Sequence, residues 1–173
     1  MQVTETERLV LQHLQPDDAA FILMLLNTPS WRRFIGDRGI RTEAQARQYI
    51  IAKLMKSYES PGFGFYLTKL KEGDVSIGIC GIVKRESLED VDIGFAFLPE
   101  YEGKGYGYES AAAVLKYAKE KFNLDRIAAI TNKDNERSIR LLQKLGLRFE
   151  KMILLPNETE EIMFFVHPGI NED

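Results

Sequence analysis

The stretch VDIGFAFLPEYEGKGYGYES, residues 91–110, decides the fold class and locates the candidate site. Side chains of residues 91–98 alternate between two faces, which predicts a β-strand, and Pro99 ends it. Three glycines follow within five positions, at 103, 105 and 107, with Lys104 between the first two. Glycine at this density destabilises a chain unless its backbone has a role, so this loop is the first candidate for a binding site.

The glycine loop leads into a predicted helix. From Glu109 to Phe122 apolar residues recur at helical spacing, and a loop between a strand and a helix N-terminus favours a phosphate. The residue order does not match a Walker loop, because Lys104 is followed by glycine and not by serine or threonine. Tyr108 stands where a dinucleotide-binding fingerprint has its third glycine. From composition alone, a plain glycine-rich turn is the alternative.

Hydrophobic periodicity divides the rest of the chain into strands and helices. Six further strands are predicted, at 8–14, 63–70, 75–83, 126–131, 147–155 and 160–168. Three further helices are predicted, one opened by Pro16 and Asp17, one begun at Thr42, and one capped by Asp134 or Asn135 and stopped by Gly146. The order β-α-α-β-β-β-α-β-α-β-β indicates a mixed α/β or α+β domain over residues 1–168, followed by a polar tail at 169–173.

Composition excludes several kinds of partner. The 173 residues carry 23 basic and 26 acidic side chains, a formal net charge of −3, so we expect no direct binding of nucleic acid by a broad basic face. Cys80 is the sole cysteine, and His13 and His167 lie far apart in sequence. These counts predict neither an internal disulfide nor a metal site.

The hydropathy pattern predicts a soluble, cytoplasmic protein with no membrane partner. No window approaches the about 18 apolar residues that span a bilayer, and the first ten residues lack the apolar region of a signal peptide.

Two motifs resemble those of the GNAT family of N-acetyltransferases, in the branch of the ribosomal-protein alanine acetyltransferases. Residues 91–110 are similar to that branch's strand followed by P-x-x-x-G-K-G-Y-x-x-E, and NERSIRLLQKLGLRFE, residues 135–150, is similar to its N-x-x-S-x-x-x-x-x-x-x-G-F segment. Residues 6–20 and 31–50 also resemble the family's opening strand and first two helices. The resemblance implies a mixed, mostly antiparallel sheet of about six or seven strands, flanked by about four helices. It also implies a V-shaped splay between the glycine-loop strand and the next.

The resemblance also implies the ligand, acetyl-coenzyme A. In the family the pyrophosphate lies on backbone amides of a Q/R-x-x-G-x-G/A loop, which corresponds here to Glu102, Gly103, Lys104, Gly105, Tyr106 and Gly107. The pantetheine arm would bond free backbone groups of Phe97 and Leu98, as an added strand does at an open edge. Asn135 matches an asparagine that commonly contacts the cofactor's arm, and it equally suits a helix N-cap.

Two positions depart from the family pattern. Glu102 stands where the wider family favours Gln or Arg, and a carboxylate beside a pyrophosphate is unfavourable unless it points away. Leu142 stands where many members carry a tyrosine that protonates the departing thiolate. The first departure predicts weaker coenzyme A binding, and the second removes the usual acid.

Acetyl transfer needs a deprotonated amine, a stabilised oxyanion and a proton for the thiolate. Asp92 is the candidate base, with a water chain as the alternative, and it equally suits a surface acid paired with Lys or Arg. Ser138 matches a serine near the thioester sulfur, and it equally suits a first-turn helix serine. The Leu98 amide is the oxyanion donor that the resemblance implies.

The acceptor is predicted to be a primary amine, on a protein N-terminus or a small molecule. Trp31, Phe34 and Tyr66 are the candidate residues of its pocket, although aromatic residues at such places commonly serve packing. Both a monomer and a homodimer are compatible with the sequence. The alternative function is a non-catalytic acyl-CoA-binding sensor or interaction domain with the same fold, suggested by Leu142 and Glu102.

Overall fold

The computed structural model describes residues 1–167 and Gly169, in which eight strands form one sheet. The strands are β1 (Gln2–Glu5), β2 (Leu9–His13), β3 (Phe65–Leu70), β4 (Val75–Val83), β5 (Val91–Phe97), β6 (Ile127–Thr131), β7 (Arg148–Ile153) and β8 (Ile162–His167). They lie in the order β1-β2-β3-β4-β5-β6-β8-β7, and all neighbouring pairs are antiparallel except β5 and β6. Residue 168 and residues 170–173, with the predicted domain boundary and most of the predicted tail, lie outside the described residues.

The predicted mixed, mostly antiparallel sheet is confirmed, and the seven predicted strands lie within two residues of their expected bounds. The eighth strand, β1, is an addition. Its four residues are exposed or half-buried and show no apolar alternation, so the sequence carried no strand signal there. Pairing with β2 supplies the backbone partners that make this segment a strand.

Within the described residues, six α-helices flank the sheet. They are α1 (Ala19–Leu26), α2 (Pro29–Phe34), α3 (Glu43–Tyr49), α4 (Met55–Glu59), α5 (Tyr106–Phe122) and α6 (Glu136–Lys144). A π-helical segment, Ile50–Leu54, joins α3 to α4, so the helix predicted to begin at Thr42 is one continuous helix. The short helix α2 lies in a stretch expected to be an irregular loop. It forms because the Thr28 hydroxyl accepts a hydrogen bond from the Trp31 N–H at 3.3 Å and Pro29 opens the first turn.

Two apolar clusters cover opposite faces of the sheet. The α5 face packs Tyr66, Phe97, Val114 and Phe165 among its buried residues. The other face is covered by α1 and α3 and includes Leu67, Trp31 and Leu98. Because neighbouring strand residues point to opposite faces, Tyr66 and Leu67 belong to different clusters.

The V-shaped splay lies between β5 and β6. The two strands run parallel and pair only at Val91 with Ile127 and at Asp92 with Ala128, within the described residues. Beyond this apex β5 continues to pair with β4, and β6 continues to pair with β8. The last residues of β5 and β6 therefore form two arms, each with one open backbone edge facing the other.

Among the described helices, none is both long and apolar enough to cross a membrane.

Candidate active site

Backbone groups of β5 line one arm of the splay. The Leu98 N–H donates to the Ile77 carbonyl at 2.9 Å, on the β4 side. Hydrogen-bonded positions alternate along an antiparallel pair, so the N–H and C=O groups of Phe95 and Phe97 point the other way, into the opening. The prediction that the Leu98 amide serves as oxyanion donor is therefore wrong, because this amide already has a partner on β4. The expected direction of the Phe97 backbone agrees with the structure.

The glycine loop connects β5 to α5 and is built for close approach of a ligand. Gly103 and Gly105 have φ angles of +76° and +86°, which other residues rarely adopt. Gly105 is the N-cap of α5, and no described side chain caps this helix. The 17-residue helix therefore presents first-turn amides and the positive end of its dipole at an exposed loop. Backbone N–H groups without a covering Cβ fit a diphosphate.

The charge of Glu102 is balanced by Arg137 from the first turn of α6. Their side chains form an ion pair of 3.4 Å, with Glu102 half-buried and Arg137 60% exposed. The same guanidinium lies 3.5 Å from the point where a Cβ on Gly103 would be. A cation from another helix thus balances the carboxylate that stands in the loop. Arg137 was not predicted as a site residue. It lies two residues after Asn135, within the second motif, but no sequence pattern connects it to Glu102.

Asn135 is the N-cap of α6. Its Oδ1 accepts a hydrogen bond from the Ser138 N–H at 3.3 Å, which confirms the N-cap reading of this residue. Ser138 is half-buried in the first turn of the same helix. Leu142, one turn further, is 1% exposed in the α5-side cluster, so the position of the missing tyrosine is filled by core packing.

Asp92 lies at the apex of the splay and is only 1% exposed. Both carboxylate oxygens lie close to Arg85 Nε, at 3.1 and 3.2 Å. Burial raises the pKa of Asp92 to about 6, and the positive charges of Arg85 and Lys84 oppose this rise only in part. The carboxylate is therefore paired with an arginine, as the alternative reading expects, but it is buried and does not lie on the surface.

Helix α2 bridges the two arms of the splay. Trp31 packs in the same cluster as Leu98, which follows β5. The Phe34 carbonyl accepts a hydrogen bond of 2.8 Å from Asn132 Nδ2, directly after β6. The buried Trp31 indole N–H has no hydrogen-bond partner among the described residues. Two of the three predicted pocket residues thus lie where an acceptor could reach the opening.

Tyr66, the third predicted pocket residue, does not lie near Trp31 and Phe34. It is 1% exposed on the α5 face, where its ring lies parallel to those of His13 and Tyr58. Phe65, on the other face, packs with the cluster that contains Trp31, and its ring is 2.9 Å from the position of a Cβ on Gly94. The prediction of Tyr66 as a pocket residue is wrong by one residue, which in a strand moves a side chain to the opposite face.

No group of three or more His, Cys, Asp or Glu side chains close enough to hold a metal occurs in the described part of the chain. The Cys80 thiol is buried in the core, and burial raises its pKa to about 12.

The sequence and the fold were compared with known proteins. The profile of the family described as "Acetyltransferase (GNAT) domain" matches residues 8–148. YnaD of Bacillus subtilis (strain 168), named an uncharacterized N-acetyltransferase, is 28% identical over 162 residues, which are 91% of either chain.

Solved structures share the fold. The ribosomal-protein-S5-alanine acetyltransferase from Vibrio fischeri superposes with a TM-score of 0.81 at 18% identity, over 99% of this chain and 98% of that one. RimL, a ribosomal L7/L12 alpha-N-protein acetyltransferase in complex with coenzyme A, superposes with a TM-score of 0.84 at 12% identity, over 99% and 100%. The fold class predicted from the sequence is confirmed.

Asp92→Asn tests the buried carboxylate through the pH dependence of stability. The folded-state pKa is raised from 3.8 to about 6, so folding takes up a proton between these values. The stabilisation by this proton is complete below pH 3.8 and is lost as the pH rises through about 6. The free energy of unfolding of the wild type, relative to Asp92→Asn, should therefore fall by about 2–3 kcal/mol between pH 4 and 7. Urea unfolding across this range measures it, and a constant difference would contradict the assignment.

Proposed function

Because the chain belongs to the GNAT acetyltransferase family, we propose that it transfers an acetyl group from acetyl-coenzyme A directly to a primary amine. The observation that carries the proposal is the open edge of β5 leading into the glycine loop at the start of α5. One continuous backbone surface then offers partners for the amides of a pantetheine arm and for a diphosphate. The proposed reaction uses neither a metal nor a covalent enzyme intermediate.

The residues that would hold the cofactor follow from this surface. We assign the diphosphate to the loop from Glu102 to Gly107, with Arg137 balancing the charge of Glu102. Backbone groups of Phe97 would bond the pantetheine arm. The Asn135 side chain, which caps α6, would contact the same arm of the cofactor. Bound acetyl-coenzyme A supplies the thioester whose carbonyl carbon the amine attacks.

The Phe95 amide is the proposed oxyanion donor, in place of that of Leu98. Two facts support it: the Phe95 N–H points into the opening, and it lies three residues from the apex. A backbone N–H held by a sheet is fixed before the reaction, so little reorganisation is needed as negative charge develops on the carbonyl oxygen.

Asp92 and Ser138 are the proposed proton-transfer groups. At pH 7 a carboxylate with a pKa of about 6 is mostly ionised and therefore able to take a proton. Since only 1% of Asp92 is exposed, we propose that it accepts the amine's proton through water. The Ser138 hydroxyl, in the first turn of α6, is the proposed hydrogen-bond donor to the departing thiolate, because Leu142 cannot serve.

The acceptor is proposed to bind beside α2, next to Trp31 and Phe34. Helix α2 shares an apolar cluster with Leu98, after β5, and accepts a hydrogen bond from Asn132, after β6. The Trp31 indole N–H is a buried donor that a bound acceptor could satisfy. The names of the structural neighbours point to N-termini of ribosomal proteins as acceptors of those enzymes. N-terminal peptides are therefore the first acceptors to test, before small amines.

A second candidate function is a non-catalytic acyl-CoA-binding sensor. It is favoured by Leu142, whose burial in the core leaves this position without a proton donor.

An acceptor panel separates the two functions. Binding of acetyl-CoA, ATP and NAD is measured by calorimetry, and thiol release from acetyl-CoA is followed against N-terminal peptides and small amines. We expect binding of acetyl-CoA alone, and thiol release with at least one acceptor. Tight acetyl-CoA binding with no turnover on any acceptor would favour the sensor, and binding of ATP without acetyl-CoA would overturn the family-based proposal.

Gly105→Ala tests the glycine loop. A Cβ at φ +86° is strained by about 1 kcal/mol and would lie 3.3 Å from Arg8 Nη2. We expect the loop amides to move and the affinity for acetyl-CoA to fall about tenfold. Gly62→Ala is the matched control, since it also has positive φ, +107°, but lies against Phe122 at the far end of α5. Calorimetry on both variants decides, and equal affinities would make the loop a simple turn.

Asp92→Asn and Ser138→Ala separate the two proton transfers. For the wild type, kcat/KM should fall as the pH drops through about 6, because a protonated Asp92 cannot accept a proton. This decline should vanish in Asp92→Asn, and kcat/KM at pH 7 should be at least about tenfold lower. Ser138→Ala should lower kcat about tenfold and leave acetyl-CoA binding unchanged. A wild-type pH profile in Asp92→Asn would assign deprotonation to water alone, and wild-type kcat in Ser138→Ala would remove the serine.

A further inference from the structure

Arg8 lies in the turn between β1 and β2 and reaches across to the glycine loop. Its Nη1 donates to the Lys104 carbonyl at 3.2 Å. Its guanidinium carbon lies 4.4 Å from the centre of the Tyr106 ring. Arg8 therefore contacts both residues that flank Gly105, from a part of the chain about one hundred residues away.

Glu109, in the first turn of α5, fixes the position of Arg8. One carboxylate oxygen accepts from Arg8 Nε at 2.7 Å, and the other accepts from the Arg8 backbone N–H at 3.0 Å. The Thr6 hydroxyl donates to the same carboxylate. Two of these three bonds come from the β1–β2 turn's backbone or hydroxyl rather than from the guanidinium. These bonds hold the backbone and Nε of Arg8 in place, and the terminal nitrogens of its guanidinium face the loop.

The bond to Lys104 determines the direction of one amide. The Lys104 C=O and the Gly105 N–H belong to one planar trans peptide unit, in which they point in opposite directions. A carbonyl held towards Arg8 turns the Gly105 N–H away from Arg8. A Cβ on Gly105 would lie 3.3 Å from Arg8 Nη2, and at φ +86° a Cβ and the N–H point to roughly opposite sides, so this also places the N–H away from Arg8. Gly105 combines this peptide direction with the start of α5 at φ +86°, in the left-handed region that glycine adopts at little cost.

We propose that Arg8 is a positioning residue that aims the Gly105 N–H at the diphosphate of coenzyme A. This inference rests on the proposed function, since it assigns a role within the same site. Arg8 acts through the Lys104 carbonyl and not by touching the ligand. Its planar guanidinium bonds Glu109 with Nε and Lys104 with Nη1 at once, while its face covers Tyr106. A lysine ammonium cannot make these three contacts together.

The test compares a ligand that has the diphosphate with one that lacks it. Arg8→Ala should raise the dissociation constant of coenzyme A about tenfold by calorimetry. With acetyl-pantetheine, which has no diphosphate, kcat/KM should stay at the wild-type value. Arg8→Lys should bind coenzyme A as weakly as Arg8→Ala, although it keeps the charge. Arg126→Ala is the matched control, because Arg126 is about as exposed as Arg8 and is also ion-paired, with Asp90 and Glu150, but lies at the start of β6.

Each other outcome overturns the role of Arg8. Wild-type affinity in Arg8→Ala would show that the loop keeps its direction unaided, and rescue by Arg8→Lys would show a charge effect. An equal loss with acetyl-pantetheine would make Arg8 a general structural residue. If Arg8→Ala does not fold, Glu109→Gln, which removes the charge that pairs with the guanidinium but keeps the size of the Glu109 side chain, must show the same selective loss. Failure of the proposed function is distinguished, since the wild type itself would then either not bind coenzyme A or bind acetyl-CoA without acetylating any acceptor.

Discussion

The parting of β5 from β6 is the constraint on which the rest of the structure depends. A sheet normally pairs every buried backbone group, and an unpaired N–H or C=O is unfavourable. Here two residue pairs hold the strands at the apex, and the Phe95 and Phe97 backbone groups then face a gap. The fold keeps this gap because each arm is paired on its other side, β5 with β4 and β6 with β8. Helix α2 spans the ends of the arms, and α5 makes the crossover that parallel strands require.

The sequence predicted the features that depend on local pattern. Alternation in residues 91–98, with β-capable apolar runs and turn residues elsewhere, located seven strands, and the three glycines located the loop, because these signals are contained within a few residues. A short stretch of sequence does not show which strand will lie beside it or which backbone groups will pair. β1 becomes a strand only because β2 lies beside it, and Leu98 loses its free amide to Ile77, twenty-one residues earlier in the chain.

The choice between Tyr66 and Phe65 failed for a related reason. In FGFYLTKL, residues 63–70, both faces of the strand are covered by apolar clusters, so hydrophobicity does not tell which face a given side chain takes. The charge partners of the loop were also out of reach of local pattern. Arg137 and Arg8 approach it from α6 and from the β1–β2 turn, and only the tertiary fold brings them to Glu102 and Lys104.

The π-helical segment between α3 and α4 sets the rotational phase of the helix that follows it. Ala46, Ile50 and Leu54 are all buried and lie four residues apart, a spacing that drifts around a regular α-helix of 3.6 residues per turn. The wider turn at Ile50–Leu54 holds one additional residue and reverses this drift. Tyr58 therefore comes into line, and its hydroxyl donates to the Phe65 carbonyl and accepts from the Leu14 N–H. The additional residue in the π-helical turn thus places Tyr58 where it bonds the start of β3 and the residue that follows β2. A relative with one residue fewer in this turn would need another contact to hold β3.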